Sequence, residues 1–223
     1  MSICISEVVS GIRRACERSR SGHVRGLFPS FRSEEAISWS SRGERALLHR
    51  LEFDRRVARF GRNAHSIVLR DFEGAPLYRP AFRCAMCDGR QLLLDVASDD
   101  IPREALDRLR VVAAAAAVRA GLAYRTVSRE GLGSRGLQMT LERLVGLRSR
   151  VVDTAAAKEI TSALVASDGR GVTFEALATG SANVSATWSA ACSLAAKGAL
   201  HLWPSDDGLG SCRVTIASWE DGR

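Results

Sequence analysis

The apolar patterning predicts an α/β chain: a mixed sheet flanked by helices, followed by a mostly helical unit with a terminal hairpin. Three observations carry this expectation. Across residues 28–136 the periodicity reads helix, three strands, helix, strand, the order of a layered α/β unit. After the glycine-bearing stretch 131–136 the pattern turns almost wholly helical. The charge changes as well: residues 1–150 hold 27 arginines, no lysine and 17 acidic residues, a net of +10, whereas 151–223 carry a net of −3. The 223 residues therefore divide into a polar Arg-rich arm (1–27), a sheet-bearing domain (28–136) and a helical domain (137–223).

Residues 2–25 read as an arm, with one short helix expected around 5–16. Trp39-Ser40-Ser41 suits the cap of a helix from Arg42 to Phe53, with Leu47, Leu48 and Leu51 on its apolar face. An extended stretch begins at Val57. Three strand-like runs follow: 66–69 with a turn at Glu73-Gly74, 78–83 with a turn at 84–89, and 91–96. The last is nearly all apolar, as a strand covered on both faces should be. Pro102 starts a helix to about Ala120, with Ile101, Leu106, Leu109 and 112–117 on its inner side and Gly121 closing it. A fourth strand occupies 124–127. Helices are then expected at 137–147, 151–167, 172–178 and 187–198, and a hairpin at 200–203 and 212–216. Helix, short helix, helix and hairpin in that order describe a winged-helix-like domain.

Composition narrows the function. With 46% hydrophobic and 26% charged residues the chain is globular rather than disordered. The longest apolar run, 111–118, meets Arg119 after eight residues, far short of the roughly 18 a membrane span needs. No apolar signal region follows Arg13-Arg14, so a soluble, cytoplasmic protein is expected. The basic first part suits a phosphate backbone, and the acidic second part suits a protein partner. Six scattered cysteines make no disulfide framework. Cys84-Ala-Met-Cys87 is a lone CxxC, and no second pair completes the four ligands of a structural zinc. It reads as two thiols beside a type I′ turn at Asp88-Gly89. His23, His49, His65 and His201 lack ligand or triad spacing, and there is neither a Gly-rich phosphate loop nor a nucleophile elbow.

Four runs stand in a telling order: Ser41-Arg42-Gly43-Glu44 followed by Leu51-Glu52-Phe53-Asp54-Arg55-Arg56-Val57; Tyr78-Arg79-Pro80-Ala81-Phe82; Asp95-Val96-Ala97; and Gly121-Leu122-Ala123-Tyr124-Arg125-Thr126-Val127-Ser128-Arg129-Glu130. Together they resemble the N-terminal nuclease domain of the TnsA-like subunit of heteromeric transposases, a restriction-endonuclease-like fold, over about residues 28–135. The winged-helix-like tail is similar to that family too. The resemblance implies carboxylates converging on Mg²⁺, which polarises a phosphate and acidifies an attacking water, and a lysine that offsets developing charge. It also implies DNA, a transposase subunit and an ATPase regulator as partners.

This chain retains Glu44 and Asp95 as the remnant catalytic and metal-binding acids, but has Ala81 where the family's Asp stands and Ala97 where its Lys stands. A methyl group neither coordinates a metal nor donates a hydrogen bond, and loss of one charge-stabilising group costs about 10²–10³ in rate. No lysine precedes Lys158 to substitute. Asp99 and Asp100 read as a cap before the Pro102 helix rather than as replacement ligands. Glu44 is expected to pair with Arg45 or His49, and Asp95, in an apolar strand, to need an arginine. Arg42, Arg45, Arg79 and Arg83 flank these motifs and are candidate DNA contacts. The leading reading is a TnsA-like subunit with a disabled nuclease centre, needing no cofactor. Its alternatives are an active Mg²⁺-dependent endonuclease with shifted ligands, and a winged-helix DNA-binding regulator.

Overall fold

The computed structural model describes residues 3–7, 24–63, 65–69, 77–97, 103–149, 151–168 and 170–217. The chain is mixed α/β and forms two compact units, Met1–Leu47 with Val57–Gly131, and Leu48–Arg56 with Leu132–Arg223. The first contains β1 (Ile3–Glu7), β2 (Gly26–Phe28), β3 (Ile37–Trp39), and the first half of α1 (Arg42–Phe53). It continues with β4 (Val57–Arg62), β5 (His65–Leu69), β6 (Leu77–Tyr78), β7 (Phe82–Met86), β8 (Gln91–Val96), α2 (Arg103–Arg119) and β9 (Ala123–Val127). The helix α1 has the bounds expected from Ser41 and the leucine spacing: the Ser41 carbonyl accepts the first intrahelical bond, from Arg45 N–H at 3.0 Å.

A four-stranded sheet of order β4-β7-β8-β9 organises this unit. β4 and β8 both run antiparallel to β7, and β9 runs parallel to β8. A parallel neighbour requires a crossover, which α2 supplies. Register places Phe60 opposite Cys84, and Phe82 opposite Leu94, so these four buried side chains share one face. The other face carries Leu93 beside Tyr124, and Tyr124, like Val112, packs against Ala113 and Ala116 of α2.

Four expectations are corrected here. The strand expected over 78–83 is broken: Tyr78 pairs with Ile67 of β5, while Phe82 begins a separate strand against β8. Pro80 has no N–H to donate and biases Arg79, so the ladder cannot run through it. The hairpin after β7 closes with Gly89 N–H on the Met86 carbonyl at 3.0 Å and with Gly89, but not Asp88, at positive φ (85°). That is a three-residue loop, not a type I′ turn. Ile3–Glu7, expected in an arm with a helix, is a strand antiparallel to β5, so this part of the arm belongs to a sheet. The β2–β3 pair extends the unit below residue 28 as well; there Gly26 faces Trp39 so closely that a Cβ would lie 2.5 Å from the indole. Finally, Val172-Thr173 is not helical but a two-residue strand. The turn expected at Glu73-Gly74, the cap at Asp99 and Asp100, and Ile101 and Pro102 lie outside the described residues, as does the rest of the helix expected around 5–16.

The second unit adds α3 (Arg135–Leu147), α4 (Thr154–Ala166), β10 (Val172–Thr173), α5 (Phe174–Thr179), α6 (Val184–Ala196), β11 (Leu200–Trp203) and β12 (Arg213–Ile216). Its sheet order is β10-β12-β11, antiparallel throughout. The helices start where polar side chains can take an orphan amide. Ser134, Asp153, Thr173 and Asn183 accept from the backbone N–H of Leu137, Ala156, Ala176 and Ala186, at 2.9–3.2 Å. Leu144, Ile160, Leu164, Phe174 and Val214 are buried at the centre, with the small side chains of α6 letting the helices approach.

Candidate functional site

The site begins at the N-terminus of α1. Ser41 Oγ accepts from Glu44 N–H at 3.0 Å, and the Glu44 carboxylate reaches back to accept from Ser40 N–H at 2.7 Å and Ser40 Oγ–H at 3.1 Å. This reciprocal capping fixes the Glu44 side chain, which is only 13% exposed. Its cation is neither Arg45 nor His49 but Arg62, the last residue of β4. Arg62 binds bidentately, Nη1 to Oε1 at 3.1 Å and Nη2 to Oε2 at 2.7 Å. The same guanidinium donates to the Ala81 carbonyl at 3.4 Å and from Nε to Ser38 Oγ at 3.3 Å, and it lies 4.9 Å over the Phe82 ring. Sheet pairing explains the encounter: Arg62 is opposite Phe82, and Asn63 N–H donates to the Ala81 carbonyl at 3.2 Å.

Ala81 is buried just before β7, at the position that continues the β7–β8 ladder opposite Asp95. Asp95 is half-buried and its Oδ1 accepts from Val96 N–H at 2.9 Å. Ala97, two residues on, donates its N–H to the Val127 carbonyl at 2.9 Å. Alternation puts Asp95 and Ala97 on one face of β8 and Leu94, which faces Phe82, on the other. The Glu44–Arg62 pair and Asp95 thus stand at one end of the sheet, approached from different faces. Among the described residues no three His, Cys, Asp or Glu side chains form a metal-holding group. Cys84 is buried in the sheet and Cys87 is exposed in the turn.

Of the candidate DNA contacts, Arg42 is exposed at the start of α1, and Arg45 lies 5.8 Å over the Trp39 ring. Arg79 donates to the Asn63 carbonyl at 2.9 Å, and Arg83 to Gln91 Oε1 at 3.3 Å, so both also serve the fold. Arg62 escaped sequence reasoning because its meeting with Glu44 depends on strand pairing; the only local signal was an arginine closing the extended stretch that begins at Val57.

The second unit holds a different charge pair. Glu52, in the Leu-Glu-Phe-Asp run, has no exposed surface and forms an ion pair with Arg148, whose side chain is 4% exposed. Burial draws the Arg148 pKa below its usual value, while the Glu52 carboxylate opposes that shift. Cys192 and Cys212 are free and buried, and burial pushes both thiols up, which disfavours the thiolate. Arg55 lies 5.3 Å over the Trp203 ring. No helix among the described residues is long and apolar enough to cross a membrane. The chain matches no protein-family model and no curated protein sequence.

Proposed function

We propose that this protein is a DNA-transposition subunit resembling TnsA, which binds DNA at transposon ends and assembles with a transposase and an ATPase regulator, its own nuclease centre being inactive. The observation that carries the reading is the sheet end where α1 delivers Glu44 while Ala81 and Ala97 stand beside and beyond Asp95. Two methyl groups there offer nothing to a metal or a phosphate, and the retained Glu44 is engaged by an arginine. The order α1, three antiparallel strands, α2 and a parallel β9 supports a restriction-endonuclease-like fold for the first unit. The order α4-β10-α5-α6-β11-β12, with β12 central in its sheet, supports a winged-helix-like fold for the second.

A plasmid-nicking assay with Mg²⁺ and with Mn²⁺, run beside a gel shift on duplex DNA, tests the reading with the full chain. DNA should be retained and no nicking should exceed the metal-free blank. Metal-dependent nicking transfers the protein to the active-endonuclease reading, and failure to retain DNA at low salt removes it from both. One observation favours the winged-helix regulator as a second reading: Arg55 on Trp203 gives the terminal hairpin a cationic neighbour that the acidic tail alone does not supply.

A further inference from the structure

Arg62 is held as a bound ion is held. Four oxygens from three separate places converge on its guanidinium: both carboxylate oxygens of Glu44, the carbonyl of Ala81 and the hydroxyl of Ser38. Below it lies the face of Phe82. Carboxylate, carbonyl and hydroxyl oxygens are the hard donors that a divalent cation of the Mg²⁺, Mn²⁺ or Ca²⁺ class prefers. Two of the three groups are fixed before any ion arrives. Glu44 is held by the Ser40 amide and hydroxyl, and the Ala81 carbonyl by Asn63 N–H. The Glu44 and Ala81 oxygens are therefore set in place and the carboxylate is already neutralised, with its charge supplied from within the chain.

We infer that Arg62 is the resident cation of an oxygen cradle formed by Glu44, Ala81 and Ser38, and that its guanidinium keeps a hard divalent cation out of that cradle. The positive charge opposes a second cation, and the planar fork engages both oxygens of the carboxylate. The consequence rests on the proposed reading: Glu44, the helix acid that the resemblance assigns to the nuclease centre, stays engaged by Arg62 whatever stands at positions 81 and 97, so Ala81→Asp with Ala97→Lys alone does not free it. The inference itself concerns only the cation and is testable without DNA.

The test uses Mn²⁺ alone, its free concentration followed by electron paramagnetic resonance. Arg62→Met keeps an unbranched stem over Phe82 and removes the charge. It should bind one Mn²⁺ about tenfold or more tightly than the native chain, the change expected from deleting one positive charge at contact distance in a partly exposed setting. Arg62→Lys keeps a cation and should behave like the native chain. Arg62→Met with Glu44→Gln should lose the gain. Native and Arg62→Met chains binding Mn²⁺ equally, in amount and affinity, overturn the inference, as does a gain that survives Glu44→Gln. Circular dichroism of each variant separates these results from unfolding; if Arg62→Met does not fold, Arg62→Gln, which retains a polar head without the charge, carries the same expectation. A negative Mn²⁺ result leaves the DNA-retention result standing, and loss of DNA binding leaves the Mn²⁺ result standing.

Discussion

A carboxylate with no solvent exposure is tolerated only when its cation is buried with it, and Glu52 and Arg148 meet that condition together. Removing Arg148 strands a buried charge. Arg148→Met should therefore cost about 3–5 kcal/mol, whereas Glu52→Leu with Arg148→Met should recover most of the loss, because an apolar pair of similar volume needs no compensation. Urea midpoints of the native chain and the two variants measure this; a single replacement costing under about 1 kcal/mol would mean that water reaches the pair. Glu44 is the contrasting case. Its residue type and its place on the first turn of a helix were legible in the sequence, where a pairing on the helix surface was expected. The partner was not, because helical spacing nominates Arg45 and His49, while the actual partner is brought by a strand eighteen residues on.

At the scale of elements, what could be read locally was read well. The bounds of α1, β8 and β11 follow from periodicity and hold to the residue. The misses are of two kinds. Ile3–Glu7 and Val172–Thr173 become strands only because distant segments, β5 and β12, offer a ladder, and nothing local announces that. The starts of α3, α4 and α6 were displaced because the capping residues Ser134, Asp153 and Asn183 outrank the first apolar residue in deciding where a helix begins. The Asn183 cap gives a direct check. Asn183→Ala should destabilise the chain by about 1 kcal/mol and Asn183→Gly by only a few tenths, since glycine leaves the amide of Ala186 open to water. Thermal and urea unfolding of both variants should show that order; equal losses would place the effect in the loop rather than in the cap.

For the whole molecule the two compact units and the two charge blocks do not coincide. Residues 48–56 belong with the second unit although they lie within the basic block, and they bring Glu52, Arg55 and Arg56 with them. A fragment of residues 137–223 would lack Glu52 and leave Arg148 buried without it, so charge must be tested in the intact chain. If the first unit carries the phosphate contacts, log K for duplex DNA falls with log salt at a slope of about −0.9 per phosphate neutralised. Replacing Arg42 and Arg45 together by Gln should make that slope shallower by about 2, because both stand at the start of α1, outside the four-stranded sheet. Lys158→Gln with Lys197→Gln removes the same charge from exposed positions of the second unit and should leave the slope unchanged. Fluorescence anisotropy across a salt series measures all three chains. A slope that responds to the lysines and ignores the arginines would assign DNA to the second unit and favour the winged-helix regulator, since counterion release is counted where the phosphates are met.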